Sequence, residues 1–239
     1  MPACANLVEL PLLLRSRLRC ELLSEMNGVI ITVSMQRDER LNTASHFIGA
    51  ALAFAGLVIL VVQASVKGDP WKIVSLSVYG ISLTALYFFS TLYHASSGKA
   101  KTIFQKFDHF AIYFLIAGTY TPFTLVTLRG AWGWSIFGTI WGLAIIGILQ
   151  DILMTSRRRI LSLVIYLLMG WLVVIAIRPL IQVLPVAGLA WMIAGGLFYT
   201  VGVIFYSLDK KILYGHETFH CFVLAGSICQ YFAIILYVL

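Results

Sequence analysis

Seven long stretches without a charged residue follow one another along the chain from residue 41 onward. They cover residues 41–66, 73–98, 109–128, 130–150, 160–177, 179–208 and 218–239. Each has at least 18 residues, and a helix needs about 20 apolar residues to cross the hydrocarbon core of a bilayer. Because lipid offers no hydrogen-bond partner to an open backbone, a helix is the expected form of every stretch. We therefore predict an all-α integral membrane protein with seven transmembrane helices.

The composition agrees with this prediction and argues against two other classes of protein. Hydrophobic residues make up 60% of the 239 residues and charged residues only 11%, whereas soluble domains are about half apolar and a quarter charged. An outer-membrane barrel would show short stretches of alternating polarity instead of these long runs. A net charge of +7 would suggest nucleic acid in a soluble protein. Here the basic residues cluster between the apolar runs, so we expect no nucleic-acid partner.

The positions of the basic residues predict how the protein lies in its membrane. Thirteen of the 17 lysines and arginines precede the first run or follow the second, fourth and sixth runs. The remaining four are Lys67, Lys72, Arg129 and Arg178. Because cytoplasmic loops carry the excess of positive charge, this distribution predicts a cytoplasmic N-terminus and a C-terminus outside.

The N-terminal residues do not continue the pattern. Their apolar patches, at residues 10–14 and 29–33, are too short to span a membrane. We predict a membrane domain over residues 39–239, preceded by an N-terminal extension over residues 1–38. That extension is either foreign to the native chain, which would then start at Met35, or disordered, or a peripheral amphipathic segment.

Histidines provide the first candidate chemistry, because the predicted topology places all five within a few turns of the cytoplasmic face. These are His46, His94, His109, His216 and His220. The last two are four residues apart, about one turn on the same helix face, and that spacing suits two imidazoles on one metal ion. Ionisable groups at membrane depth suggest function, but a histidine near the interface also serves as a headgroup contact. Both interpretations stay open at this point.

Other polar residues join the histidines at the same ends of the predicted helices. Ser90 and His94 repeat the four-residue spacing, and Asp108 lies at the predicted start of the third helix. Asp108 either handles the proton of a metal-activated water, or it pairs with Lys106 or caps its helix. The H-E-x-x-H pattern from His216 also matches a zinc-protease signature, in which Glu217 would be the general base.

Together these motifs resemble the hemolysin III family, the bacterial branch of the progestin and adipoQ receptors. The resemblance runs over residues 39–239. The matching pieces are Glu39-x-x-Asn42-x-x-x-His46, Ser90-x-x-x-His94, Phe107-Asp108-His109 with the following Ala-Gly-Thr-Tyr-Thr-Pro-Phe, and His216-x-x-x-His220.

The resemblance implies a particular site. It implies seven helices in a bacterial cytoplasmic (inner) membrane and a zinc ion (Zn2+) held by His94, His216 and His220, with water near Asp108 and Ser90 beside it. These relatives are also similar to alkaline ceramidases, which hydrolyse a lipid amide.

Three further polar residues lie outside that implied site. We expect His46 to lie just behind the metal ligands and His109 to pack at the membrane interface. Gln230 stands where bacterial members often carry a histidine, so the resemblance does not extend to a second polar relay deeper in the membrane.

From these residues we predict a zinc-dependent hydrolase that acts on an amide or ester of a membrane lipid, in membrane homeostasis. Asp108 would handle the proton and Ser90 would stabilise the oxyanion. One alternative is a receptor or sensor with a structural metal, and another is a cytolysin, as the family's name suggests. An H-E-x-x-H intramembrane protease is a weaker alternative, because the residue at the position of Glu217 varies within the family's H-x-x-x-H motif.

Overall fold

The computed structural model describes residues 12–153, 159–209, 211 and 214–239, with side chains from residue 39 onward except at residue 159. Its α-helices are α1 (Leu12–Lys67), α2 (Pro70–Ala95), α3 (Gly98–Pro122), α4 (Gly130–Leu153), α5 (Arg159–Trp171), α6 (Ile177–Val183), α7 (Val186–Ser207) and α8 (Gly215–Tyr237). A π-helical segment, Phe123–Leu128, continues α3, and a 3-10 segment, Leu172–Ala176, joins α5 to α6.

Seven helical stretches of the described residues are long and apolar enough to cross a membrane, which confirms the predicted architecture. They are Glu39–Lys67, Pro70–Ala95, Gly98–Leu128, Gly130–Leu153, Ile160–Val183, Val186–Ser207 and Gly215–Tyr237. The protein is an all-α, seven-helix, multi-pass membrane protein. We number these spans one to seven in chain order.

The chain divides into two compact units, residues 1–41 and residues 42–239. The second unit contains nearly all of the seven spans. In the first unit the backbone is helical from Leu12 onward. The predicted extension over residues 1–38 lies outside the residues whose side chains are described, and its boundary stays a prediction.

Local sequence explains where the second span begins. Gly68 adopts a left-handed φ of 68°, which glycine tolerates because it lacks a Cβ. The Asp69 carboxylate then accepts a hydrogen bond from the backbone N–H of Trp71 at 2.9 Å and so caps α2. Pro70 occupies the first helical position, where its missing N–H costs nothing.

Two spans differ from their predicted extents. α3 begins at Gly98 rather than near Asp108, because the loop of lysines before Asp108 is itself helical. The fifth span continues to Val183 rather than ending at Ile177, although Arg178 and Pro179 follow there. After the 3-10 segment a new α-helix, α6, begins at Ile177. Pro179 therefore lies in the first turn of α6, where proline is tolerated.

Pro122 ends the regular part of the third span, because proline lacks the N–H that would continue the α-helical hydrogen bonds. The chain changes there from α to π geometry, a change that often accompanies an interrupted helical hydrogen-bond ladder. Two nearby threonine hydroxyls donate back to the helix, Thr121 to the Ala117 carbonyl and Thr124 to the Tyr120 carbonyl, each at 2.9 Å. These hydroxyls help to satisfy the backbone inside the membrane.

Hydrogen bonds connect the first two spans to the end of the last span. The ammonium groups of Lys67 and Lys72 donate to the carbonyl oxygen of Leu239 at 2.7 Å and 2.5 Å. At the opposite ends of the same spans lie His46, His94 and the start of α8. The first, second and seventh spans therefore enclose the histidine-bearing end of the bundle.

Candidate metal centre

Four histidines from three helices form one cluster. His220 is at its centre, because its ring centroid lies 4.2 Å from that of His46, 4.4 Å from that of His216 and 5.2 Å from that of His94. The rings of His46 and His94 stack with an interplanar angle of 2° at 5.4 Å. The fold thus brings together residues that are up to 174 positions apart in the sequence.

Helix geometry explains how each span delivers its imidazole. His94 lies in the last turn of α2, one turn beyond Ser90 on the same helix face. α8 begins at Gly215, after Tyr214 in a left-handed conformation with a φ of 58°, so His216 and His220 occupy its first two turns. Both His46 and His94 are buried, with 4% and 6% of their surface exposed.

Three of the four histidines are arranged in a way that fits a metal ion. His46, His94 and His220 each offer a ring nitrogen, and these nitrogens lie within 4.8 Å of one another. Among the described residues, neither ring nitrogen of His46 has a hydrogen-bond partner, nor has Nε2 of His220, although all three atoms are buried. An unsatisfied buried polar atom costs about 1–3 kcal/mol. A cation that prefers imidazole, such as zinc, would satisfy such nitrogens.

The predicted ligands are therefore close together, but the arrangement differs from the predicted one in one member. His94 and His220 belong to the group that could share a metal ion, and so does His46, which we expected behind the ligands. The His216 ring lies beside that of His220 and 5.6 Å from that of His94. The predicted ligand set of His94, His216 and His220 stays a prediction.

The Asp108 carboxylate on α3 is hydrogen-bonded to the face of α2 that carries His94. The Ser90 hydroxyl donates a hydrogen bond to Oδ1 of Asp108, and Ser90 is buried with 5% of its surface exposed. Because Ser90 precedes His94 by one helical turn, about 6 Å along the axis, Asp108 is held near the histidine cluster. Asp108 does not cap its helix, since the N-cap of α3 is Ser97. That alternative for Asp108 is wrong.

The other polar residues singled out in the sequence lie around this cluster. The backbone carbonyl of His109 accepts a hydrogen bond from the Tyr166 hydroxyl at 3.1 Å, which ties α3 to α5. Glu217 lies in the first turn of α8, partly buried. Gln230 is deeper in the bundle, where its amide donates to the Met192 carbonyl at 2.9 Å and so ties α8 to α7.

A chain of hydroxyl groups leads from the cluster into the bundle, and no sequence motif predicts it. The Tyr87 ring lies 5.9 Å from the His46 ring. Its hydroxyl donates to Oγ of Ser227 at 2.9 Å, and the Tyr199 hydroxyl lies 3.0 Å from the same oxygen. Buried polar groups in a membrane are usually paired in this way.

Comparison with known proteins gives consistent relatives. Residues 35–231 match the family model described as Haemolysin-III related. The chain is 44% identical to hemolysin-3 of Bacillus cereus over 204 residues, which cover 85% of this chain and 93% of that protein. It is 43% identical to the hemolysin-3 homolog of Bacillus subtilis (strain 168) over 202 residues, 84% of this chain and 94% of the relative.

A more distant relative is a human protein. The human monocyte to macrophage differentiation factor is 27% identical over 199 residues, which cover 81% of this chain and 82% of the human one. The similarity therefore covers more than four-fifths of this chain in all three comparisons.

Proposed function

The chain belongs to the haemolysin-III related family, and from that premise we propose that it is a zinc-dependent hydrolase of an amide or ester bond in a membrane lipid. The support comes from one juxtaposition: a cluster of imidazoles on α1, α2 and α8, next to Ser90 one turn before His94 on α2, whose hydroxyl is hydrogen-bonded to Asp108 on α3. Metal hydrolases combine such a set of neutral nitrogen ligands with a nearby carboxylate.

His94 and His220 would hold the metal together with a third imidazole. When bound, zinc supplies a Lewis acid for a carbonyl group and makes water more acidic. Asp108 would accept the proton that the attacking water loses, and would return it to the leaving group. Both steps need the carboxylate to stay close to the reacting atoms, and the hydrogen bond from Ser90 holds it there.

Ser90 has one proton to donate and gives it to Asp108 in this structure. Once Asp108 takes up a proton, its carboxyl group no longer needs that hydrogen bond. The Ser90 hydroxyl would then be available to donate to the developing oxyanion of the substrate. The buried position of Ser90 excludes competing water, which strengthens such a hydrogen bond.

A membrane lipid is the proposed substrate because the candidate site lies within the spans. All the residues assigned to it belong to helical stretches that are long and apolar enough to cross the membrane. We also propose that this membrane is a bacterial cytoplasmic membrane, in line with the two Bacillus relatives, and that the site lies on its cytoplasmic side. Hydrolysis of a lipid amide or of a lipid ester would each change the lipid composition, and either reaction would suit a role in membrane homeostasis.

A receptor or sensor with a structural metal is the second candidate, favoured by the fourth imidazole. Structural zinc sites are closed by four protein ligands, whereas catalytic ones keep a position for water. The His216 ring is 4.4 Å from that of His220, near enough to make a fourth ligand plausible. Cytolysis is supported only by the names of the two bacterial relatives.

The proposal predicts that Asp108→Asn abolishes hydrolysis and leaves the metal in place. Wild-type protein purified in detergent should contain about one zinc per chain, and so should the variant. Hydrolysis of a lipid amide in mixed micelles should fall at least about 100-fold, the usual contribution of a general base. Metal content and product release should be measured on the same samples.

Glu217→Gln is the matched control, because it removes a carboxylate that lies between two of the histidines in the sequence. It should keep both zinc and hydrolysis. If Glu217→Gln abolishes hydrolysis while Asp108→Asn keeps it, the general base has been assigned to the wrong carboxylate and the protease alternative gains support. A well-folded wild-type protein without zinc would rule out the hydrolase.

A further inference from the structure

A second group of polar side chains lies between α3, α4 and α5, on different spans from the clustered histidines. The Asp151 carboxylate, near the end of α4, accepts two hydrogen bonds at Oδ1, one from the Ser162 hydroxyl at 2.6 Å and one from the Gln150 amide at 3.2 Å. Asp151 belongs to the fourth span, and an ionisable side chain within a span is costly and suggests a function. The proposed hydrolysis makes no use of this group.

Three oxygen atoms of the group have no hydrogen-bond partner among the described residues. They are Oδ2 of Asp151, Oε1 of Gln150 and the hydroxyl oxygen of Tyr113, and all three are buried. The carboxylate and amide oxygens can only accept a hydrogen bond, and the single proton of the Tyr113 hydroxyl can satisfy only one of them. Burial without a partner is unfavourable, above all for a charged carboxylate. The group therefore needs a positively charged partner.

The Tyr113 side chain is directed toward the carboxylate along the surface of α4. Tyr113 is fully buried, and Cε1 and Cζ of its ring are the atoms nearest to the position that a Cβ at Gly147 would occupy. Gly147 precedes Asp151 by one helical turn on the same face. The Tyr113 hydroxyl also interacts electrostatically with the Asp151 carboxylate. Glycine at position 147 thus lets the phenol ring lie against α4, beside Asp151.

The chemical type of these oxygens indicates which partner they suit. A carboxylate, an amide carbonyl and two hydroxyl groups are hard oxygen ligands, which bind alkali and alkaline-earth cations rather than zinc. The described side chains of the group carry one negative charge. A monovalent cation neutralises that charge, whereas a divalent cation would leave a positive charge uncompensated in a poorly solvated position.

We propose that Tyr113, Gln150, Asp151 and Ser162 form a binding site for a monovalent alkali cation such as Na+. The ion would join the third, fourth and fifth spans, and none of these spans carries a histidine of the cluster. It would satisfy oxygens that the described side chains leave without a hydrogen bond. This inference goes beyond the proposed function and depends on neither zinc nor hydrolysis.

Exchange of choline chloride for sodium chloride at constant ionic strength tests the site on the full-length protein in detergent. Choline carries the same charge as Na+ but is too large to fit among packed side chains, so the screening of surface charges stays the same. A ligand that binds only the folded state should raise the thermal midpoint by about 3–6 °C for each tenfold increase in concentration above its dissociation constant. We expect this rise with sodium and none with choline.

Three variants locate the effect within the chain. Asp151→Asn should abolish the response to sodium, because asparagine keeps the shape of the side chain but not its charge. Tyr113→Phe should weaken sodium binding about tenfold, the usual contribution of one interaction with a charged group. Tyr120→Phe is the matched control, since it removes another buried phenol of α3, one whose hydroxyl donates to the Gly170 carbonyl. It should keep the full response.

Direct binding gives the second readout. Equilibrium dialysis with radioactive sodium should saturate at about one ion per chain, as expected for one site, and Asp151→Asn should bind none. Asp108→Asn is the control for charge, because it removes the carboxylate next to the histidine cluster and should keep sodium binding. The thermal midpoint of each variant without sodium shows whether it folds.

The outcomes separate this inference from the proposed function. Equal midpoints in sodium and choline, or sodium binding by Asp151→Asn at the wild-type level, would overturn the cation site and leave the hydrolase untouched. Loss of sodium binding in Asp108→Asn instead of Asp151→Asn would overturn it too, because the ion would then lie at the other carboxylate. A wild-type protein that binds sodium through Asp151 but holds no zinc would support the cation site and argue against the hydrolase.

Discussion

Two buried serines of α2 differ in the hydrogen bonds that their hydroxyl groups make. The Ser90 hydroxyl donates to the Asp108 carboxylate. The Ser75 hydroxyl is fully buried and has no hydrogen-bond partner among the described residues. Because an unpaired hydroxyl contributes nothing to offset its burial, the same substitution should have opposite consequences at these two positions.

We expect Ser90→Ala to destabilise the protein and Ser75→Ala to leave its stability unchanged or raise it. In Ser90→Ala the partly buried Asp108 carboxylate loses a hydrogen bond, which costs roughly 1–3 kcal/mol. Thermal unfolding of the metal-free proteins in detergent measures both effects apart from any change in metal binding. Equal midpoints for the two variants would show that the hydrogen bond between Ser90 and Asp108 contributes little.

The sequence indicates that His46 is buried but not which residues surround it. A signal was present, since Asn42 and His46 are spaced by four residues in an otherwise apolar run. That spacing predicts that both lie on one face, and the structure buries both. It does not predict which other helix that face contacts, and the distance to His220 depends entirely on that.

At the scale of helices, α7 and α8 pack through glycine. A Cβ at Gly195 would lie 2.6 Å from the amide nitrogen of Gln230 on α8, and one at Gly202 would lie 3.1 Å from the Phe222 side chain. Nothing lies within 4 Å of the corresponding position at Gly196. Small residues in a membrane helix, such as these three glycines, predict close contacts with a neighbouring helix. The structure places two of them in the interface, and the expectation for Gly196 is wrong because it faces away from α8.

This difference predicts that Gly195→Val destabilises the protein while Gly196→Val does not. The added side chain at Gly195 would displace Gln230 from its hydrogen bond with the Met192 carbonyl. Forcing extra volume into a packed interface typically costs about 1–3 kcal/mol. Thermal midpoints in detergent should fall for the first variant only, and similar falls in both would show that valine disturbs α7 by itself.

Helix ends were the least predictable feature at this scale. Charged residues mark where an apolar run stops, but a helix continues wherever its backbone hydrogen bonds are satisfied. The lysines after Gly98 are therefore part of α3, and Arg178 lies within the fifth span. The early start of α3 matters for the site. Because Ser97 and not Asp108 is the N-cap, the Asp108 carboxylate is available to accept a hydrogen bond from Ser90.

For the whole molecule, the bias of basic residues makes the orientation in the membrane testable. We predict a cytoplasmic position for Ala100 and an external one for Ala131. Both are exposed, near the starts of α3 and α4, so that the third span separates them. In a cysteine-free chain, Ala131→Cys should react with a membrane-impermeant maleimide in intact cells, whereas Ala100→Cys should react only after permeabilisation. The reverse pattern would place the histidine cluster on the outer side.

The order of the amino acids is enough to establish the class of the protein and the side chains available for chemistry. Apolar runs of membrane-spanning length leave the helix as the only suitable structure, because the backbone of each span must satisfy its own hydrogen bonds. The spacing of Ser90 with His94 and of His216 with His220 fixes those pairs on common helix faces. Both conclusions depend on local geometry, which a sequence specifies directly.

Which of these helix faces contact one another is known only from the packing of the helices. The approach of His46 to His220, the contact of Ser90 with Asp108 and the hydroxyl chain from Tyr87 all join different helices. In a membrane, helix rotation and register depend on close packing and on hydrogen bonds between helices, which involve residues far apart in the chain. The group of imidazoles that could hold a metal is therefore a property of the packed bundle, although each histidine is visible in the sequence.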